Sequence, residues 1–105
     1  MFRIDVDDED GKAAITMKIA GRLEAQCAEE VRHQVLRCRK PHRLAVDLSE
    51  VTFIDNSGEE VLVWLGRIGA RFVAQGFYCL HICERLHLSI LKGSGSRRRL
   101  REAVG

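Results

Sequence analysis

The sequence predicts a single α/β domain with a central mixed sheet of about four strands, an N-terminal hairpin and helices mainly on one side. Three observations lead to this fold class: apolar residues alternate at the beginning, two longer stretches show helical spacing, and a short apolar stretch lies between them. With 105 residues, 46% of them hydrophobic and 30% charged, the chain has room for one domain and one core. This composition excludes a disordered protein, a collagen-like repeat and a disulfide-rich miniprotein.

The first elements are expected to be two strands joined by a turn. Phe2, Ile4 and Val6 alternate with polar residues, as in a half-buried strand, and a second strand is expected over residues 13–20. The turn between them contains Asp10-Gly11, a dipeptide that favours tight hairpin turns.

Residues 24–40 predict a helix, because four apolar residues recur at spacings of three and four and so form one stripe. These residues are Cys27, Val31, Val35 and Cys38. Pro41 is expected to end the helix.

The second half predicts a buried strand, a long helix, a strand and a short helix. The apolar residues 44–48 are typical of a strand in a parallel sheet, and a loop is expected between this strand and the long helix. The long helix is expected over 57–75 with Gly76 as its C-terminal cap, the strand over 77–83 and the short helix over 85–91. A domain over 1–92 would leave 93–105 as a basic C-terminal tail, either flexible or a frayed helix.

Charge and cysteine content predict a cytoplasmic protein. No stretch approaches the roughly 18 consecutive apolar residues of a membrane span, and the acidic first ten residues are the opposite of a secretory signal. The four cysteines form no CxxC pair and are expected to be reduced and to pack as small hydrophobic side chains. The net charge of +2 is too small to indicate direct binding of nucleic acid.

The most informative residues are two short motifs on either side of the expected loop. Asp47-Leu48-Ser49 ends the buried strand, and Asp55-Asn56-Ser57-Gly58 begins the long helix. In parallel α/β folds, ligands and partners usually bind at this end of the strands. Ser57 and Glu60 also fit a capping box, so a purely structural role for Ser57 in capping the helix is an open alternative.

Both motifs resemble the signature of the STAS domain family, which comprises anti-sigma-factor antagonists and their relatives in transporter tails. Gly21-Arg22-Leu23-Glu24 is similar to the family's Gly-Xaa-Leu-Asp turn before the first helix, with Glu24 in place of Asp. The resemblance extends over about residues 2–91, and the order of strands and helices agrees with it.

The resemblance implies a regulatory protein-binding module that is not an enzyme and needs no cofactor or metal. In such antagonists, a partner serine kinase that is itself the anti-sigma factor phosphorylates the serine before the glycine, and phosphorylation breaks the complex. Carried over to this chain, Ser57 is the candidate phosphorylation site. The candidate partner-binding residues are Asp55, Asn56, Ser57, Gly58, Glu59 and Glu24.

Two other functions remain open at this point. A transporter-associated STAS subunit would bind an ATPase or a permease without phosphorylation and would tolerate Glu59 and Glu60. A small thiol or metal enzyme would use Cys79, His81 and Cys83, which would share one face of a strand. The oligomeric state is open for all three functions.

Overall fold

The computed structural model describes residues 2–7, 15–38 and 43–91. These residues form four strands, β1 (Phe2–Asp7), β2 (Ile15–Leu23), β3 (Leu44–Ile54) and β4 (Arg71–Val73). They also form three helices, α1 (Ala25–Leu36), α2 (Asn56–Arg67) and α3 (Phe77–Arg85).

The strands form one mixed sheet in the order β1-β2-β3-β4. Strand β1 pairs with β2 in antiparallel orientation, whereas β2 with β3 and β3 with β4 are parallel. This arrangement confirms the expected fold class, an α/β domain whose first two strands are antiparallel and whose other strands form a parallel sheet. The expected turn at Asp10-Gly11 lies outside the described residues.

The two faces of the sheet differ in polarity. One face carries apolar residues of β2 and β3 that pack against the helices, and α1 and α2 contact each other above it. The largest fully buried side chains are Phe72, Met17, Ile19, Leu23, Leu44, Leu48, Leu62, Leu65, Val31, Val46, Val61 and Cys27. The opposite face carries polar residues, among them Lys18, which forms a 2.7 Å ion pair with Glu50. The alternation along the strands therefore places the core on one side of the sheet.

Strand β3 is longer than its apolar segment predicts, and the loop expected between this strand and the long helix is wrong, because β3 continues to Ile54. Lys18 pairs with Asp47 while Ala20 pairs with Glu50, and Gly21 pairs with Val51 while Arg22 pairs with Phe53. In each step β3 advances by one residue more than β2, so it contains two bulges. The bulges interrupt the two-residue alternation from which a strand is inferred.

Helix α1 spans Ala25–Leu36, within the expected 24–40, and Pro41 lies outside the described residues. Helix α2 is shorter than the expected 57–75, because it ends at Arg67 and Gly69 adopts a φ of 100°. The chain then turns into β4, where Phe72 is completely buried. Apolar spacing continues from α2 into β4, which is why the sequence predicts one long helix.

The last two expected elements are also wrong. Residues 77–83 belong to helix α3, and residues 85–91 do not form a helix. Instead, Ile90 forms a parallel bridge with Phe72, whose N–H donates to Ser89 and whose carbonyl accepts from Leu91. Gly76 adopts a φ of 85° immediately before α3, and so it begins this helix instead of ending α2.

The tail expected over 93–105 lies outside the described residues. Within the part of the chain that the structure describes, no helix has both the length and the apolar character that a membrane crossing requires.

Candidate functional site

The motif Asp47-Leu48-Ser49 lies at the first bulge of β3. An Oδ1 atom of Asp47 accepts hydrogen bonds from the backbone N–H of Ser49 at 2.9 Å and from its hydroxyl at 2.6 Å. An aspartate that bonds to the residue two positions later stabilises a local bend of the backbone. In this chain the first motif therefore stabilises the bend at the first bulge of β3.

Asp55 is the N-cap of α2. Its Oδ1 accepts a hydrogen bond of 2.9 Å from the N–H of Gly58, and its carbonyl accepts one from Glu59. Its backbone is extended, as at most N-caps. The alternative in which Ser57 and Glu60 form a capping box is therefore wrong, because Asp55 is the N-cap, two residues before Ser57.

Gly58 is buried where α2 passes over the end of β2. A Cβ atom at this position would lie 2.3 Å from the carbonyl oxygen of Leu23 and 2.9 Å from Cγ2 of Ile54. The same carbonyl accepts a 3.3 Å hydrogen bond from the N–H of Asp55. Glycine at position 58 is thus required by close packing between helix and strand.

Ser57 is half-buried at the second residue of α2, and no residue of the described ranges hydrogen-bonds to its hydroxyl. It lines a cavity of about 190 Å³ between α1 and α2. The other residues that line this cavity are Ala25, Ala28, Glu29, Arg32 and Glu60. The hydroxyl is therefore neither enclosed in the core nor used to cap the helix.

The remaining candidate residues differ in their surroundings. Asn56 is exposed, and Glu59 is half-buried and forms an ion pair with Arg85 of α3. Glu24 lies at the N-cap position of α1 without capping it and pairs with Arg22 at 2.8 Å. The hydrogen bond from Arg22 lowers the pKa of Glu24.

Arg22 also lies over the ring of Phe53, 4.5 Å from its centroid. The structure therefore brings Asp55, Ser57 and Gly58 together at the beginning of α2, whereas Glu24 belongs to a neighbouring cluster with Arg22 and Phe53.

A larger open groove of about 560 Å³ follows α2 and also reaches α1 and the residue after α3. It is lined by Arg32, Asn56, Glu59, Glu60, Val63, Trp64, Arg67 and Leu86. The guanidinium of Arg32 lies 5.7 Å from the centroid of the Trp64 ring, within the range of a cation–π interaction. Sequence reasoning missed Arg32, because only the docking of α1 on α2 brings it to this position.

Tyr78 is a second residue that sequence reasoning missed. Its hydroxyl accepts a 2.8 Å hydrogen bond from the N–H of Ile54 and donates one of 3.3 Å to the carbonyl of the same residue. Because β4 pairs only with residues 45–47 of β3, Tyr78 satisfies backbone groups at the far end of β3, next to Asp55. The aromatic residues 77 and 78 favour a strand by propensity, which conceals this role.

The cluster of Cys79, His81 and Cys83 on which a thiol or metal enzyme would depend does not form. The three residues lie on helix α3, which buries both cysteines and exposes His81. Burial raises the pKa of the Cys83 thiol to about 11, and that of Cys79 is raised for the same reason. Among the described residues, no group of three potential metal ligands lies close enough to hold an ion. The premise of the thiol or metal enzyme, a shared strand face, is therefore wrong.

No family model and no curated protein matches the sequence. Among solved structures, the chain is similar to an anti-sigma factor antagonist from Mycobacterium paratuberculosis, with a TM-score of 0.69 and 19% identity over 83% of this chain and 79% of that one. It is similar to the unphosphorylated anti-sigma factor antagonist SpoIIAA, with a TM-score of 0.64 and 9% identity over 88% and 90% of the two chains.

An uncharacterised protein from Shewanella loihica with a SpoIIAA-like fold gives a TM-score of 0.50 at 13% identity, over 80% of this chain and 75% of that one. These likenesses confirm the architecture that the motifs led us to expect: the chain has the STAS-like fold of the anti-sigma factor antagonists.

Proposed function

We propose that this chain is a regulatory module of the anti-sigma-factor-antagonist type, which binds a partner protein through the beginning of α2 and is controlled by phosphorylation of Ser57. The observation that carries the proposal is the half-buried hydroxyl of Ser57, which no described residue hydrogen-bonds, beside a tightly fixed helix start. The contact surface would include Asp55, Asn56 and Glu59. Glu24 would lie at its margin.

The modification is a phosphoryl transfer from ATP bound to the partner kinase. A bond forms between Oγ of Ser57 and the γ-phosphorus, the bond from that phosphorus to ADP breaks, and a base of the kinase accepts the hydroxyl proton. The product carries about 1.5 to 2 additional negative charges at neutral pH. Because the N-terminus of a helix favours an anion, the domain would stay folded while the charge repels a complementary partner surface.

Two glutamates follow Gly58, and their charges act against phosphorylation. Glu59 is paired with Arg85, which offsets its charge locally. Glu60 is exposed, so water and salt screen its effect. The ion pair of Glu59 therefore makes the sequence Ser-Gly-Glu-Glu less repulsive to a phosphate than two unpaired glutamates would be.

The test is to incubate the protein with candidate serine kinases encoded near its gene and with ATP, and to locate the phosphate by mass spectrometry. We expect phosphate on Ser57 and weaker binding of the phosphorylated protein to the kinase. Ser57→Ala should abolish labelling, whereas the control Ser89→Ala, at an exposed serine outside α2, should not. Labelling only at other residues, or equal binding of both forms, would contradict the proposal.

A transporter-associated subunit is the second candidate, and the two glutamates after Gly58 favour it because that function needs no phosphate. It predicts that an ATPase or permease co-purifies with the protein and that Ser57→Ala leaves this binding unchanged. Either function is consistent with action in the cytoplasm, where free cysteines such as those of this chain stay reduced.

A further inference from the structure

Arg32 lies between the two cavities of the α1–α2 surface. It lines the 190 Å³ cavity together with Ser57, and it also lines the 560 Å³ groove together with Trp64. Arg32 is thus the basic residue that shares the small cavity with Ser57, and it belongs to the neighbouring helix. The two alanines that line the small cavity, Ala25 and Ala28, leave space for an added group.

The guanidinium of Arg32 lacks an anionic partner among the residues that the structure describes. It forms no ion pair with any residue in the ranges 2–7, 15–38 and 43–91, and its Nε is buried without a hydrogen-bond partner. Within the described part of the chain, the guanidinium contacts the ring of Trp64. A buried donor without a partner carries a free-energy cost that an incoming acceptor would remove.

The geometry points to Arg32 as the side chain that binds the phosphate of phosphorylated Ser57, giving the modified form an ion pair between α1 and α2. This inference rests on the proposed function, because it concerns the same modification site. A phosphate offers three strong acceptor oxygens, and a guanidinium can bind two of them with parallel N–H groups. The ion pair would draw the guanidinium towards Ser57 and away from Trp64.

Two carboxylates oppose this ion pair. Glu29 and Glu60 line the same small cavity, and their negative charges favour the monoanionic form of the phosphate, whereas Arg32 favours the dianion. The two influences move the second pKa of phosphoserine, about 6 in the free residue, in opposite directions. A titration of the phosphate therefore reports which group lies closest to it.

The experiment uses the full chain with phosphoserine encoded genetically at position 57, so that no kinase is needed. The second ionisation of the phosphate is followed by phosphorus NMR as the pH is varied. We expect Arg32→Gln to raise the midpoint by about one pH unit, a tenfold change in the ionisation constant. Arg32→Lys should raise it by less, because lysine keeps the charge but cannot form the two-pronged contact.

Arg67→Gln is the matched control, because Arg67 lines the large groove but not the small cavity. The inference is overturned if Arg32→Gln leaves the midpoint unchanged, or if Arg67→Gln raises it equally, since a general positive field would then explain the shift. Circular dichroism checks that each variant is folded. If Arg32→Gln does not fold, the midpoint of Arg32→Lys is compared with that of the parent protein instead.

The single tryptophan gives a second readout. If Arg32 leaves the ring of Trp64 on phosphorylation, the fluorescence spectrum of the phosphoserine protein should differ from that of the unmodified protein, and Arg32→Gln should abolish the difference. Because the protein is made without a kinase, these results are independent of whether a cellular kinase recognises Ser57. A titration without an effect of Arg32, together with labelling by a kinase, would overturn this inference and leave the proposed function intact.

Discussion

The carboxylate of Asp55 accepts a hydrogen bond from the N–H of Gly58, and these two residues lie on either side of Ser57 in the first turn of α2. Asp55 stabilises the turn electrostatically, and Gly58 allows it to approach β2 closely. The motif Asp-Asn-Ser-Gly therefore has two residues with structural tasks and leaves the hydroxyl of Ser57 available.

Replacing the cap should cost more stability than replacing the hydroxyl. We expect Asp55→Ala to lower the free energy of unfolding by about 1 kcal/mol, because the N–H of Gly58 loses its acceptor. Ser57→Ala should change it by less than about 0.5 kcal/mol, because no described residue bonds to this hydroxyl. Urea unfolding followed by circular dichroism measures both. A larger loss for Ser57→Ala than for Asp55→Ala would show that Ser57 caps the helix after all.

A methyl group at position 58 should be poorly tolerated. Gly58→Ala would place Cβ 2.3 Å from a backbone oxygen, so α2 or β2 must shift, and we expect a loss of about 1–3 kcal/mol. Gly66→Ala is the control in the same helix, because its Cβ would lie 3.1 Å from the end of the flexible Leu88 side chain. The melting temperature of Gly58→Ala should be well below that of Gly66→Ala. Equal melting temperatures would contradict the close packing at position 58.

The hydroxyl of Tyr78 should contribute measurably to stability. Tyr78→Phe keeps the ring but removes the group that bonds to both the N–H and the carbonyl of Ile54, and we expect a cost of about 1 kcal/mol. Phe77→Ala is the control, because this neighbouring ring is 95% exposed and its loss should be nearly neutral. Hydrogen exchange of the Ile54 amide should also become faster in Tyr78→Phe but not in Phe77→Ala.

Stability should decline in alkaline solution because of the buried thiols. Burial raises the pKa of Cys27 and Cys83 from 9.0 to about 11, so the folded state keeps protons that the unfolded chain releases. The stabilising effect is complete below pH 9 and is lost as the pH rises from 9 through 11. We expect the urea midpoint to fall across this interval.

The variant Cys83→Ala isolates the thiol contribution. It should be less stable than the parent at pH 8, because it leaves a cavity, but it should lose less stability between pH 8 and pH 11. An identical pH dependence in both proteins would show that the thiol of Cys83 does not cause the decline.

The first half of the fold could be predicted because its elements obey simple periodicity. Alternation identifies β1, and helical spacing identifies α1, whose stripe at Cys27, Val31 and Val35 is buried as expected. The beginning of α2 could also be predicted within two residues. Its capping residue could not be predicted, because Ser57 and Asp55 are both favourable N-caps. Only the hydrogen bond between Asp55 and Gly58 distinguishes them.

The second half could not be predicted because local pattern and tertiary structure disagree there. The bulges of β3 change its buried spacing, so that Val51 and Ile54 are buried three residues apart, as in a helix. In α3, the buried residues Cys79, Ile82 and Cys83 follow helical spacing, but Phe77 and Tyr78 have strand propensity. The position of Arg32 beside the residues of α2 depends on the packing of α1 against α2, two helices that are distant in sequence.

The carbonyl of Leu23 lies close to Gly58 and also accepts a hydrogen bond from the N–H of Asp55. It therefore fixes the backbone on both sides of Ser57. Because Asp55, the end of β2 and Gly58 all restrain the first turn of α2, a group added to Ser57 would change the backbone of this turn little. A partner that distinguishes the modified protein from the unmodified one would therefore have to respond to changes in charge and in side-chain positions, with the backbone unchanged.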